Sequence, residues 1–333
     1  MKKDGSHSHK KYSTLIATTL QDKKSQALAI RRENFGNDIK FYAPGLKSYT
    51  TKEIAQHNPA AFLPISLTGN ACALDCDHCN KKILEPMLAL DQREGVFEMC
   101  KRLKAAGTES VLISGGSLKS GEVPFMKHIE EIKRVKEELG MKIIMHTGLV
   151  TKDEQARALK DAGVDGVALD IIGAQETIND VYHMDATVDD FERTLALLSG
   201  YGLSLRPHII LGLHYGEMKG EHKALEMIAK YPCHALVLVI ITPLHDTNMW
   251  GVTPPAPKVI EEFFIEARLK MPDTYIMVGC SRPQGDHKIA VDKAAVEAGL
   301  NGIAYPAEGI VGLSKEMGLN PEFFENACSC GVE

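Results

Sequence analysis

The sequence predicts an α/β protein whose parallel sheet closes into a (β/α)8, or TIM, barrel, with an N-terminal helical extension and a C-terminal tail. Three observations carry that expectation. From residue 62 onward, short runs rich in Ile, Val and Leu alternate with longer amphipathic stretches; the runs number eight; and several of them end in polar residues. Runs that are apolar throughout, with helices between them, indicate a parallel sheet covered on both faces. A doubly wound open sheet is the main rival. Eight units between residues 62 and 306 favour the barrel, whose usual size is ~250 residues.

The runs are FLPISLTG, SVLISGG, KIIMHTG, GVALDIIG, LRPHIILGL, ALVLVIITP, YIMVGCS and GIAYP. Stretches between them, such as REGVFEMCKRLKAAG, set apolar residues near i, i+3, i+4 and i+7, the spacing of a helix with one buried face. Five helices end in a glycine shortly before the next run (Gly107, Gly140, Gly163, Gly202 and Gly299), which reads as a left-handed helix stop. Residues 1–61 divide into a disordered tail, MKKDGSHSHKK, and a helical extension, STLIATTLQDKKSQALAIRREN, expected to cap the bottom of the barrel. Residues 62–306 form the barrel itself. Residues 307–333 form a helix and a tail ending in CSCGVE.

Bulk properties exclude several classes. With 333 residues, 44% of them hydrophobic, the chain can bury a full core. A net charge of -6 leaves no footprint for nucleic acid, and no basic run suggests a membrane surface. No apolar run approaches the ~18 residues of a membrane span, and the polar N-terminus is unlike an export signal. A reducing, cytoplasmic setting is therefore expected, where clustered thiols are more often metal ligands or catalysts than disulfides.

Three of the eight cysteines fall within NACALDCDHCN, residues 70–80, just after the first strand. In a barrel that is the face where chemistry happens. Cys72, Cys76 and Cys79 could share one helix face and pack as small hydrophobes, but Asp75, Asp77 and His78 interrupt the apolar context. A zinc site with His78 as fourth ligand is the second alternative. It is disfavoured because structural zinc usually bridges two separate segments, and adjacent His78 and Cys79 would not easily reach one ion. The third is an iron–sulfur cluster. A cubane normally takes four cysteines, so three thiolates from one loop leave one iron open to an outside ligand.

This C-x3-C-x2-C pattern in this position resembles the signature of the radical S-adenosylmethionine (SAM) superfamily. The resemblance implies a [4Fe–4S] cluster whose open iron binds the amino and carboxylate groups of SAM. Reductive cleavage of SAM then yields a 5′-deoxyadenosyl radical. His78 stands where the family usually has an aromatic residue, and a planar imidazole could pack there. ISGGS resembles the family's Gly-Gly-Glu-type motif, which implies that Gly115, Gly116 and Ser117 meet the methionine amino group, with Ser117 replacing the acid. An ordinary turn is the plain alternative. Asp170 resembles the residues that bind the SAM ribose or the substrate; otherwise it is a rim ion pair. Arg206 could clamp the SAM carboxylate by a two-pronged contact. Ile241 and Thr242 correspond to backbone that meets the adenine edge. His208 and His214 receive no role.

Cys100 and Cys233 read as packing thiols. Cys280 ends the seventh run, and Cys328 and Cys330 form C-S-C near the chain end. These three are expected to hold a second [4Fe–4S] cluster above the barrel, with the tail folded over its mouth; free thiols on an exposed tail are the alternative. The layout resembles the biotin synthase branch, in which Arg282 falls near an arginine that ligates the auxiliary cluster. FYAPGLKSY, GLHYG, CSRP and NGIAYP further resemble the biotin-synthase-like subunit of a two-component lipoyl synthase. Two departures stand out: GGS lacks the strand-two cysteine of biotin synthase, and the N-terminal cysteine motif of ordinary lipoyl synthase is missing. The resemblance implies sulfur insertion into an octanoyl chain on a lipoyl carrier protein or peptide. It also implies a second radical SAM protein in a hetero-complex and an external electron donor, with neither nucleic acid nor membrane involved. Methylornithine synthase-like or hydrogenase maturase-like chemistry is the rival enzyme reading, and a non-catalytic metal-binding subunit the rival of another class.

Overall fold

The computed structural model describes residues 19–45 and 47–331, so the expected N-terminal tail and the first residues of the helical extension lie outside the described residues. Eleven strands form one sheet: β1 (Asp38–Tyr42), β2 (Phe62–Ser66), β3 (Leu88–Ala89), β4 (Ser110–Ser114), β5 (Lys142–His146), β6 (Gly166–Asp170), β7 (Leu205–Leu211), β8 (Ala235–Ile240), β9 (Tyr275–Val278), β10 (Gly302–Ala304) and β11 (Asn320–Phe324). Their order is β11-β1-β10-β9-β8-β7-β6-β5-β4-β2-β3, and every pairing is parallel.

All eight apolar runs become strands, β2 and β4 to β10, with helices between most of them, so the α/β barrel architecture is as expected. The closure differs. The ladder is open between β2 and β1, giving a curled partial barrel with β3 and β11 at its edges. At the seam Gly45 N–H donates to Phe62 O at 3.0 Å. A Cβ on Gly45 would stand 1.9 Å from Pro59 O, so only glycine lets the two segments meet.

The five glycines expected to stop helices all have positive φ, from 63° to 97°. Helix Leu20–Phe35 is started by Thr19, whose Oγ1 accepts from Asp22 N–H while Asp22 Oδ2 accepts from Thr19 N–H. Lys24 ties it to Glu261 of helix Pro257–Lys270 and to Glu297 of helix Asp286–Glu297. Its second half lies at the bottom of the barrel: Phe35 packs 4.8 Å from Tyr275 at the start of β9, and a Cβ on Gly299, just before β10, would stand 3.0 Å from Arg31 Cβ and 3.1 Å from Ala27 O.

The tail is the second departure. Beyond β11, the Glu325 carboxylate accepts from His57 and Asn58 N–H just before β2. Ser110 Oγ, at the start of β4, donates to Asn326 O. The chain then fills the barrel interior. Ala327, Cys328 and Cys330 are buried with the inward-facing Tyr42, Ile144, Ala168, Val237 and Met277. It thus enters from the N-terminal ends of the strands instead of covering the mouth. Among the described residues, no helix is long and apolar enough to cross a membrane.

Candidate functional site

The loop after β2 carries Cys72, Cys76 and Cys79 to the wall of a cavity of about 410 Å³ at the C-terminal ends of the strands. Gly115, Gly116, Ser117, Asp170, Ile241, Thr242 and His78 line the same cavity, so these seven expected site residues are brought together with the three thiols. The remainder of its wall is mostly apolar, with Leu112, Val123, Leu149, Ile210 and Val239 among the lining side chains.

The cysteine loop is held closely against the end of β4. Gly116 N–H donates to Thr68 Oγ1 at 2.7 Å, Ser117 N–H to Cys72 Sγ at 3.3 Å and Ala73 N–H to Ser117 O at 2.8 Å. A Cβ at Gly116 would lie 2.0 Å from Ala71 O and 2.6 Å from Cys72 Cβ, so the loop can seat only against glycine. After Cys79 the backbone turns sharply through Asn80 and Lys81, both at positive φ (39° and 66°), the kind of strain that collects at functional sites.

Asp77 is the residue that sequence reasoning missed. Its carboxylate accepts from Tyr215 OH (2.6 Å), Asn248 Nδ2 (2.8 Å) and His183 Nε2 (2.9 Å). Its N–H donates to Val181 O, and its carbonyl accepts from Met249 N–H. The loops after β6, β7 and β8 therefore clamp the cysteine loop from its far side. Burial favours the neutral acid, but the hydrogen bonds from Tyr215, His183 and Asn248 outweigh it and hold Asp77 below the usual carboxylate range.

The ligating atoms of Cys76, His78 and Cys79 lie within 4.8 Å of one another. The expectation that adjacent His78 and Cys79 could not approach one ion is therefore corrected: the loop bends enough to bring them together. A hydrogen bond from Cys76, with a further one from His78, pulls the Cys79 thiol below the range of a free thiol against the effect of burial, while the same pairing and burial push Cys76 up. Such a thiolate is ready to bind metal. His78 Nδ1 is buried without a partner, and the ring packs 4.9 Å from that of Tyr182. A donor set of clustered thiols, a glycine-lined approach and a buried orphan nitrogen beside a cavity of this size fit a cluster with a bound organic cofactor.

Asp170 faces the cavity among His146, whose Nε2 is 3.9 Å away, and Tyr182, whose OH donates at 3.4 Å. Burial raises its pKa, but His146, His208 and His78 outweigh that and hold it at about 2. The alternative of a rim ion pair also has a partner here, the imidazole of His146.

Two expectations are corrected. Arg206 lies 3% exposed inside the barrel, where Nη1 donates to Gly331 O (2.7 Å) and Nη2 to Ser204 Oγ (3.3 Å), away from the cavity wall. It faces inward near the start of β7, too low in the barrel to clamp a ligand at the mouth. Arg282 is fully buried in a two-pronged pair with Asp292 (2.6 and 2.9 Å) and also donates to Gly279 O and Tyr305 O. That engagement makes it a strut of the fold instead of a ligand.

Cys328 and Cys330 adjoin each other, with Cys330 N–H on Cys328 Sγ at 3.3 Å. Burial, together with the neighbouring Cys328, pushes the Cys280 thiol up to about 12, and Ser329 hydrogen-bonds it. The hydrogen bond with Cys330 and burial push Cys328 well above a free thiol. Cys328 and Cys330 are buried side by side with Cys280 packed against the same interior group, whereas among the described residues the thiols and imidazole close enough to share one metal ion are Cys76, His78 and Cys79. Cys100 and Cys233 behave as packing thiols, each pushed up to about 12 by burial.

A model of the Radical SAM superfamily matches residues 66–228. Biotin synthase 2 of a Polaromonas species is 24% identical over 266 residues, which is 78% of this chain and 76% of that protein. The biotin synthase of Alkalilimnicola ehrlichii is 25% identical over 256 residues, covering 72% and 73%. Among solved structures, methylornithine synthase (PylB) superposes with a TM-score of 0.59 at 16% identity, over 91% of this chain and 90% of its own. HydG, a maturase of the [FeFe]-hydrogenase, gives 0.64 at 15% identity, over 93% and 69%. At such identities the structural likenesses speak for the fold alone.

Proposed function

We propose that this chain is a radical SAM enzyme that inserts sulfur into an unactivated C–H bond of a protein-bound octanoyl chain; the match of residues 66–228 to the Radical SAM superfamily and the similarity to biotin synthases support that reading. In this reading it acts as one subunit of a lipoyl synthase, beside a second radical SAM protein and an external electron donor. When bound, the first cluster and SAM supply a 5′-deoxyadenosyl radical for hydrogen abstraction, and the second cluster supplies the sulfide that the carbon radical captures.

The chain's own residues fall into distinct roles. Cys72, Cys76 and Cys79 hold the first cluster. Gly115, Gly116 and Ser117 offer close backbone to the methionine end of SAM. Asp170, ionised at neutral pH, accepts hydrogen bonds from ribose hydroxyls, and Ile241 and Thr242 border the adenine. The apolar wall around Leu112, Leu149 and Ile210 excludes water and suits an alkyl chain. Cys280, Cys328 and Cys330 hold the second cluster.

The observation that carries the reading is the burial of Cys328 and Cys330 inside the barrel, 6% and 5% exposed. Free thiols on an exposed tail would not be sequestered there, and rearrangement of a small molecule would not require a second set of thiols.

Iron and acid-labile sulfide after anaerobic reconstitution provide the test. The native chain should hold about eight irons, with about four in Cys328→Ala/Cys330→Ala and about four in the triple alanine variant of Cys72, Cys76 and Cys79. The tail variant should still form 5′-deoxyadenosine while making no thiolated product. About four irons in the native chain, all lost with the first triad, would remove the sulfur source and sink the lipoyl reading.

A further inference from the structure

We propose that the apolar rim around the cavity entrance is the docking surface for the protein that carries the acyl chain. The inference rests on the preceding reading for the identity of that carrier and adds the surface that receives it.

Six large hydrophobic side chains are exposed among the described residues: Ile83, Leu118, Tyr215, Trp250, Val259 and Ile289. Val259 and Ile289 lie on the outer helices Pro257–Lys270 and Asp286–Glu297. The other four lie on the segments that follow β2, β4, β7 and β8, at the same end of the barrel as the cavity. Ile83 lines the cavity and is nevertheless 56% exposed, so the apolar lining runs out onto the surface. Leu118 directly follows Ser117 of the cavity wall. Tyr215 reaches the back of the cysteine loop through Asp77, and Met249 N–H, next to Trp250, meets the same residue. Trp250, the chain's single tryptophan, is 61% exposed, with the His245 ring edge-on at 4.9 Å. Exposed apolar residues scattered singly need no account, but their concentration around one entrance marks an interaction surface. Tryptophan and tyrosine are also the side chains that interfaces favour at their centres.

The position decides what kind of partner sits there. A permanently bound protein would close the route by which cofactor and substrate reach the cavity. The occupant must therefore come and go and bring its cargo with it, as an acyl carrier does. The charges agree. Lys82 pairs with Asp246 at 3.6 Å, Asp246 also with His245 at 2.8 Å, and Lys81 with Asp75 at 3.9 Å, so both lysines beside the cysteines are matched by neighbouring acids. Such a surface selects its partner by apolar contact and not by strong opposite charge. An acylated lysine suits it: the amide has lost the ammonium charge, and the alkyl chain continues into the wall of Leu112, Leu149 and Ile210.

The test uses the reconstituted full chain and two probes, a tryptophan-free lipoyl carrier domain octanoylated on its lysine and a short peptide bearing octanoyl-lysine. The domain should shift Trp250 emission to shorter wavelength and saturate, and the peptide should leave it unmoved. Leu118→Glu should weaken the domain's Kd about tenfold in that titration. In turnover, Trp250→Ala should raise KM for the domain about tenfold, with KM and kcat for the peptide unchanged. Equal KM for domain and peptide in the native chain, or turnover of the domain with Trp250 emission unmoved, would overturn the docking surface and leave sulfur insertion in place. A second copy of this chain, or a second radical SAM protein, that shifts Trp250 and excludes the domain would overturn it as well. A saturable shift by the domain, weakened in Leu118→Glu, with neither probe thiolated would sink the sulfur-insertion reading alone.

Discussion

The chain holds two groups of cysteines, and they are built in opposite ways. Cys72, Cys76 and Cys79 come from one loop of eight residues at the mouth of the barrel, and that loop needs outside support. Thr68, Ser117 and the three donors to Asp77 supply it. Cys280, Cys328 and Cys330 come from two distant segments and are held by burial in the barrel interior. The mouth group depends on hydrogen bonds to a loop, and such bonds yield locally. The interior group depends on the core, so disturbing it disturbs the fold. A site that must exchange a cofactor at every turnover suits the first construction, and a site that stores a reactive group suits the second.

The largest expected effect comes from ending the chain at Phe324. That removes Ala327, Cys328 and Cys330 from a core cluster containing Tyr42, Ile144, Ala168, Val237 and Met277. It should cost about 3 kcal/mol or more, as large core deletions do, and urea unfolding should show an earlier midpoint. An unchanged midpoint would mean that the tail is an appendage, and the contrast between the two regions would collapse.

Asp77→Ala should act at the other end of the comparison and more weakly. Tyr215, His183 and Asn248 lose one common acceptor, but Tyr215 and His183 are partly exposed and can turn to water. The expected cost is about 1–3 kcal/mol. If both cysteine groups hold clusters as proposed, its signature is selective: chelators should strip iron from the mouth loop several-fold faster, with the interior cluster in the same preparation unaffected. Equal acceleration at both clusters would show that Asp77 supports the fold in general and not the loop.

These two constructions also explain what could be read from the sequence. The eight inner strands were legible because each is an uninterrupted aliphatic run, and the helix stops because glycine at positive φ marks them. The Cys72–Cys79 loop was legible because its chemistry lies in local spacing. The edge strand β11, Asn320–Phe324, was not, since NPEFF has a proline, a glutamate and no aliphatic run. Nor was β1, where a short mixed run, DIKFY, becomes a strand by pairing with β10 and β11. The Asp77 clamp was hidden because its partners lie 106, 138 and 171 residues away. The tail's path was hidden for a similar reason. C-S-C near a chain end looks exposed by default, and the residues that bury it, among them Tyr42, Ile144, Ala168, Val237 and Met277, come from five distant strands.

The smallest expected effect concerns Asp170, which lies between the two regions: it faces the mouth cavity, yet His208, beside Cys330, is among the groups acting on it. Burial works against its charge, and His146, His208 and His78 overcome that and hold it at about 2, against about 3.9 for an unfolded aspartate. Because the folded value is the lower one, the ionised carboxylate adds stability above about pH 4. That contribution is lost as the pH falls from about 4 through about 2. Asp170→Asn keeps an acceptor for Tyr182 but has no charge to titrate. Urea midpoints of the metal-free protein between pH 6 and pH 2.5 (a range chosen about the ordinary aspartate value) should therefore fall more steeply for the native chain than for the variant. Parallel slopes would mean that the imidazoles do not favour the charged form, and Asp170 would then belong to the mouth region alone.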